Sequence, residues 1–135
     1  MGLFSFNFAS NFGGVLVSLF GRYTKYKKII KSNIEVLNLN NETSSKLVRD
    51  NLKETGKVFF EFFNLNKFDW ENININNTDI LDEIKAHQGP KIFISAHIGN
   101  WELTRNFILR SGFTLHSVYR HANNTKINNY IQKYR

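Results

Sequence analysis

The sequence predicts an α/β domain, in which N-terminal helices precede a strand–helix–strand unit of a mainly parallel sheet. Apolar residues recur at intervals of three and four over residues 23–37 and over residues 47–63, as they do on one face of a helix. Residues 92–96 form a continuous apolar run, which is typical of a strand buried on both faces of a parallel sheet. A helical stretch separates this run from a second predicted strand, residues 113–119.

Composition limits the classes of protein that this chain can be. Its 135 residues are enough for one domain, and a hydrophobic content of 41% predicts that the domain folds around a core. The absence of cysteine excludes disulfides and thiolate chemistry. Because the sequence has no metal-ligand cluster and no Gly-rich phosphate loop, we expect neither a metal nor a cofactor.

The net charge of +7 favours an anionic partner, such as acidic lipid head groups, an acidic carrier protein or nucleic acid. Nucleic acid is the weakest of these hypotheses. It depends on net charge alone, because the cations are spread over helix faces without a basic and aromatic platform.

The first 20 residues are uncharged and precede a basic cluster, which is typical of membrane association. Asn7, Asn11 and the Gly13-Gly14 pair weaken a membrane-spanning helix, so residues 1–20 are better described as an interfacial or truncated membrane anchor. The positive-inside rule places the cluster on the cytoplasmic face; its members are Arg22, Lys25, Lys27, Lys28 and Lys31. The alternative is a soluble helix with a solvated basic end.

Three helices are predicted between the uncharged first 20 residues and the first strand. Residues 23–37 form an amphipathic helix. Thr43 or Ser44 can cap a second helix, which ends in Phe pairs that we expect in the core. An Asn-rich connector then leads to a short helix that Thr78 or Asp79 can cap.

His97 and Glu102 are the candidate chemical pair. His97 ends the first predicted strand, and Glu102 lies in the first turn of a predicted helix, residues 101–110. A tight turn at Gly99 can fold the carboxylate towards the imidazole, where it would orient the ring and leave the other nitrogen as a base. The alternative is a histidine in a turn and a glutamate that favours the helix N-terminus, and geometry alone does not separate the two.

The surrounding residues limit the type of reaction. Ser95 lies within the predicted strand and not in a sharp strand-to-helix turn, so no Ser or Cys nucleophile in an evident elbow accompanies the pair. A substrate hydroxyl that His97 deprotonates would therefore attack directly. Arg120 follows the second strand on the same rim, where a guanidinium suits an anionic substrate, and Asn100 can cap the helix.

The string SAHIGNWEL resembles the H-x-x-x-x-[DE] signature of lysophospholipid and lipid A acyltransferases. In particular it is similar to the H-[FIL]-G-N-W-E form of the bacterial lipid A late acyltransferase family, the lauroyl and myristoyl transferases. KSNIEVLNL, VFFEFF and VYRHANN also resemble segments of that family. The resemblance covers roughly residues 9–135.

This resemblance implies a glycerolipid-acyltransferase-like fold and a role in lipopolysaccharide biosynthesis. The protein would transfer a fatty acyl group from acyl carrier protein to a hydroxyl of a lipid A precursor, at the cytoplasmic face of the inner membrane and without a cofactor. His97 would be the base and Glu102 its partner, while Arg120 and Asn100 would bind substrate.

Two departures from the family pattern qualify the implied function. Family members are usually longer and have a more strongly hydrophobic N-terminal helix. We therefore expect residues 21–135 to be the N-terminal part of an acyltransferase domain that is incomplete at its C-terminus. The alternative function is that of a truncated, catalytically inactive fragment that associates with the membrane.

Overall fold

The computed structural model describes residues 5–71 and 73–134, and the regular structure of these residues is helical. Residues 1–4 of the predicted membrane segment lie outside the described ranges. Short 3₁₀ turns occupy Gly21–Tyr23 and Leu65–Lys67. The α-helices are α1 (Phe6–Phe20), α2 (Lys25–Glu35), α3 (Asn41–Phe62), α4 (Asp79–Ala86), α5 (Trp101–Arg110) and α6 (Thr125–Tyr134).

Helices α1 and α3 pack closely because each has a glycine at their crossing. A Cβ atom at Gly13 would lie 2.5 Å from the Gly56 carbonyl oxygen, and one at Gly56 would overlap the Gly13 carbonyl. The buried apolar side chains near this crossing are Ala9 on α1 and Val48 and Leu52 on α3. The α1–α3 pair is therefore the core of the N-terminal half, and α2 also packs against α3.

Helix α1 also carries apolar residues at intervals of three and four that remain half-exposed to solvent, one of which, Phe12, touches the Phe60 ring of α3 at its edge. Phe8, Phe12, Val15 and Leu19 are between 50% and 55% exposed, and we call these four residues the outward stripe of α1. None of the helices within residues 5–71 and 73–134 combines the length and the apolar character that crossing a bilayer requires.

The predicted helices are present, but the N-cap of α3 differs from the residues that the sequence predicted. Helix α3 begins earlier than Thr43 or Ser44 would allow, because Asn40 is its N-cap. The side-chain oxygen of Asn40 accepts a hydrogen bond from the Thr43 amide at 2.8 Å. Helices α2, α4 and α5 lie where the sequence predicts them.

Aromatic contacts join the C-terminal half to the first three helices. The Phe6 ring lies 5.0 Å from the Phe68 ring, which in turn lies 4.9 Å from the Trp70 ring. The guanidinium of Arg110, at the end of α5, lies 5.1 Å from the centre of the Trp70 ring. The connector after α3 thus contacts both the start of α1 and the end of α5.

The predicted parallel sheet, and with it the α/β fold class, is wrong. Residues 91–96 and 113–120 form no strand or bridge, and the described part of the chain contains helices and irregular segments only. The two segments are neighbours, since the Phe93 and Phe113 rings are 5.2 Å apart. However, Ile92 and Ile94 are 89% and 93% exposed, whereas a parallel strand requires hydrogen-bonded neighbours and cover on both faces.

The Gly13–Gly56 crossing predicts that Gly56→Ala destabilises the protein. The new methyl group has no space against the backbone of α1. We expect overpacking to lower the free energy of unfolding by about 1–3 kcal/mol. Urea unfolding followed by circular dichroism measures this change.

Gly14→Ala is the matched control for that substitution. Its Cβ would lie 3.0 Å from Cγ of Lys57, a side chain that can shift at small cost, and 3.3 Å from the Lys53 carbonyl oxygen, which is a looser approach to backbone than the one at Gly56. A Gly56→Ala protein as stable as the Gly14→Ala protein would contradict the proposed tight crossing.

Candidate active site

The candidate site is built around the turn that joins residues 91–96 to α5. The backbone bends over residues 97–99, and the Ile98 amide donates to the Ala96 carbonyl at 2.8 Å. Gly99 has a φ of 58°, in the left-handed region that favours glycine. The turn leaves the His97 side chain exposed immediately before α5.

Asn100 connects this turn to α5 and to the distant end of α3. Its Oδ1 accepts a hydrogen bond from the Glu102 amide at 3.2 Å, so it is the N-cap that the sequence predicts. Its Nδ2 donates to Oε2 of Glu61 at 2.8 Å. The other oxygen of Glu61 accepts from the Ser10 hydroxyl at 2.5 Å. One carboxylate therefore links α1, α3 and the turn before α5.

Glu102 is the most enclosed acidic residue of the site. Its side chain and backbone are together only 3% exposed, and it lies in the first turn of α5, where the helix dipole stabilises a negative charge. His97 is exposed, and its ring lies 5.2 Å from the ring of Trp101. In the sequence, His97 and Glu102 lie on either side of Trp101.

Two cavities meet at Trp101. The larger, of about 1050 Å³, is bordered by His97, Arg105, Tyr119 and Arg120. The smaller, of about 410 Å³, is bordered by Glu102 and by the aromatic group Phe59, Phe62, Phe63 and Tyr130. Trp101 and Ile131 border both cavities, so these two side chains separate the cavity of His97 from the cavity of Glu102.

Three of the four predicted site residues, His97, Glu102 and Arg120, border these cavities, and the fourth, Asn100, does not. Arg120 is exposed and borders the larger cavity together with His97, although the sheet rim on which the sequence analysis placed both residues is absent from the described part of the chain. The side-chain amide of Asn100 is instead hydrogen-bonded to the Glu61 carboxylate and to the Glu102 backbone amide. The catalytic roles of His97 and Glu102 and the substrate contacts of Arg120 and Asn100 stay predictions.

Within the described residues, no group of three or more His, Cys, Asp and Glu side chains is arranged to hold a metal ion.

The whole chain, residues 1–135, matches the protein family described as bacterial lipid A biosynthesis acyltransferase. The chain belongs to this family. No curated protein and no solved structure matches it. The bacterial lipid A biosynthesis acyltransferases are enzymes of lipopolysaccharide biosynthesis, so the family confirms the predicted reaction class, acyl transfer, and the predicted pathway.

The sequence predictions for this lipid A acyltransferase family member missed two parts of the site. Glu61 was not identified, although it is the one acidic residue within VFFEFF, and a charge in an aromatic run is a signal for a specific partner. The Phe pairs were expected in the core, but Phe59 is 53% and Phe63 39% exposed, and both border the smaller cavity. Their contact with Tyr130, whose ring lies 4.9 Å from that of Phe63, links residues too distant in sequence for a local pattern.

The two hydrogen bonds of Asn100 predict that Asn100→Ala destabilises the protein. The substitution removes the cap of α5 and leaves Oε2 of Glu61 without its donor. We expect the free energy of unfolding to fall by about 1–2 kcal/mol, measured by urea unfolding.

Asn74→Ala is the control, because Asn74 is exposed and lies outside the helices. If both substitutions change stability equally, Asn100 does not tie α5 to α3.

Proposed function

We propose that this chain transfers a fatty acyl group from an acyl carrier protein thioester to a hydroxyl group of a lipid A precursor, with His97 as the base and Glu102 as the group that orients it. The observation that carries the proposal is the exposed imidazole of His97 at the edge of a large cavity, five residues before the buried Glu102 in the first turn of α5. Family membership supports the reaction class.

In the proposed reaction, a ring nitrogen of His97 takes the proton from the acceptor hydroxyl as its oxygen attacks the thioester carbonyl carbon. The carbon–sulfur bond then breaks, and the leaving thiolate takes a proton from the imidazolium. The products are the new ester and the free thiol of the carrier. A carboxylate that accepts a hydrogen bond from the other ring nitrogen fixes the tautomer and stabilises the imidazolium.

The charges and surfaces of the two cavities suit the two substrates. Arg120 lies in the cavity of His97, where a guanidinium can form two parallel hydrogen bonds with a phosphate of the acceptor. The smaller cavity is bordered by aromatic and aliphatic side chains and is large enough to hold part of an acyl chain. The net charge of +7 favours an acidic carrier protein as the donor.

This mechanism predicts that His97→Ala lowers kcat by about 100- to 10,000-fold, because the general base is lost. Glu102→Gln should also lower kcat and leave KM for the donor unchanged, since its role is to orient the base. The measurement is the transfer of a radiolabelled acyl group from acyl carrier protein to a lipid A precursor.

His87→Ala is the control, because His87 is exposed and borders neither cavity. Full activity of the His97→Ala protein would exclude the proposed base.

We also propose that the chain works at the cytoplasmic face of the inner membrane and is held there by the outward stripe of α1. Half-exposed Phe and Leu side chains can enter the boundary between head groups and acyl chains. The basic cluster that begins at Arg22 directly follows the stripe and can bind anionic head groups. This arrangement requires α1 to lie along the membrane surface while its opposite side stays packed on α3.

The membrane proposal predicts that the double substitution Phe8→Ser and Leu19→Ser weakens binding to vesicles that contain phosphatidylglycerol roughly tenfold or more, because less apolar surface is buried in lipid. Vesicle flotation with the purified chain measures the bound fraction.

Val36→Ser is the matched control, since Val36 is 78% exposed but lies at the end of α2, outside the stripe. Equal binding of the double variant and the control would contradict insertion of the stripe.

A catalytically inactive, membrane-associated protein is the second candidate function. The exposure of Ile92 and Ile94 favours it, because these residues lead directly to His97 and lack the cover that would hold a catalytic imidazole firmly. Absence of acyl transfer by the wild-type chain, together with vesicle binding, would establish this alternative.

A further inference from the structure

Glu61 is a charged residue at the end of α3 that the proposed reaction does not use. It is partly buried, and its neighbours in the sequence are Phe60 and Phe62. An ionised carboxylate next to aromatic side chains loses hydration, so it is expected there only where other groups replace the lost hydrogen bonds. The structure supplies these groups from two distant parts of the chain.

Each carboxylate oxygen of Glu61 has its own donor. Oε1 accepts from the Ser10 hydroxyl of α1 at 2.5 Å. Oε2 accepts from the Asn100 amide at 2.8 Å. Hydrogen bonds to a charged acceptor are stronger than those between neutral groups, so this bridge restricts the orientation of the Asn100 side chain.

The orientation of Asn100 in turn determines the start of α5. With Nδ2 directed to Glu61, Oδ1 faces the Glu102 amide, 3.2 Å away. The Asn100 carbonyl also accepts from the Leu103 amide at 3.0 Å. The first turn of α5 carries Glu102, and His97 lies three residues before Asn100 on the other side of Gly99.

We propose that Glu61 is a positioning residue, which fixes Asn100 and thereby holds the first turn of α5 in the geometry that acyl transfer requires. The inference rests on the proposed function, because it assigns Glu61 a role in supporting His97 and Glu102. Since Ser10 belongs to α1, the same carboxylate connects the helix that bears the outward stripe to the catalytic turn.

Two substitutions and their combination test this role in the full chain. Asn100→Asp keeps an N-cap oxygen but directs a carboxylate towards Glu61, so the bridge is lost. Glu61→Gln alone can keep both contacts, because the glutamine oxygen can accept from Asn100 while its amide donates to the Ser10 hydroxyl. In the double variant the glutamine amide introduced by Glu61→Gln can donate to the new aspartate, which restores a hydrogen bond between the two positions.

The first measurement is independent of activity and uses amide hydrogen exchange by NMR at residues 102–105. We expect roughly tenfold or faster exchange in Asn100→Asp, because two carboxylates face each other and the hydrogen bond between positions 61 and 100 is lost. We expect near wild-type exchange in Glu61→Gln and in the double variant, because each keeps a hydrogen bond between these positions. Amides in the middle of α3 should keep their rates in all three proteins, which separates a local effect from global destabilisation.

The second measurement is acyl transfer by the same proteins. We expect kcat of Asn100→Asp to fall about 10- to 100-fold with KM for the donor unchanged, because a misplaced catalytic group loses this much rate. The double variant should recover most of that loss. Glu54→Gln is the matched control on α3, since its carboxylate pairs with Lys57 and does not contact the turn.

The outcomes distinguish this inference from the proposed function. Recovery of slow exchange and of kcat in the double variant supports the positioning role. A double variant that exchanges and turns over like Asn100→Asp overturns it, even if His97→Ala is inactive and acyl transfer stands. If the wild-type chain transfers no acyl group but the exchange pattern is as expected, the proposed function fails while Glu61 still positions the turn.

Discussion

The close crossing of α1 and α3 at Gly13 and Gly56 is the constraint on which the rest of the structure depends. Without two side chains at this point, the helix backbones approach closely enough for Ser10 to reach Glu61, which lies beyond the crossing on α3. Glu61 then binds Asn100, which caps α5 and begins the turn that carries Glu102. Helix packing in the N-terminal half and site geometry in the C-terminal half are therefore parts of one chain of contacts.

The helices could be predicted from the sequence because their signals are local. The spacing of apolar residues defines α2 and α3, and Asn100 with Gly112 bounds α5. The sheet was predicted wrongly because an apolar run establishes only a preference for extended backbone. Pairing depends on neighbours and on cover, and no described helix covers Ile92 or Ile94.

The candidate site likewise contains residues that a local sequence motif identifies and residues that only tertiary contacts identify. His97, Glu102 and Arg120 could be identified from a nine-residue motif and from one further segment, and the family match confirms the reaction class that they imply. Glu61 and Ser10 could not be found in this way, because the contacts of Glu61 reach 39 residues along the chain to Asn100 and 51 residues to Ser10. A short motif specifies the chemistry, while the groups that hold it in place come from the tertiary structure.

The proposed mechanism depends on the carboxylate of Glu102 orienting the imidazole of His97. The most direct test is the nitrogen NMR spectrum of the His97 ring in the wild-type chain and in Glu102→Gln, recorded where the ring is neutral. We expect one protonated and one unprotonated nitrogen in the wild-type chain, and a mixture of tautomers in the variant. A wild-type ring that already exchanges between both tautomers, and that does not respond to the substitution, would contradict it.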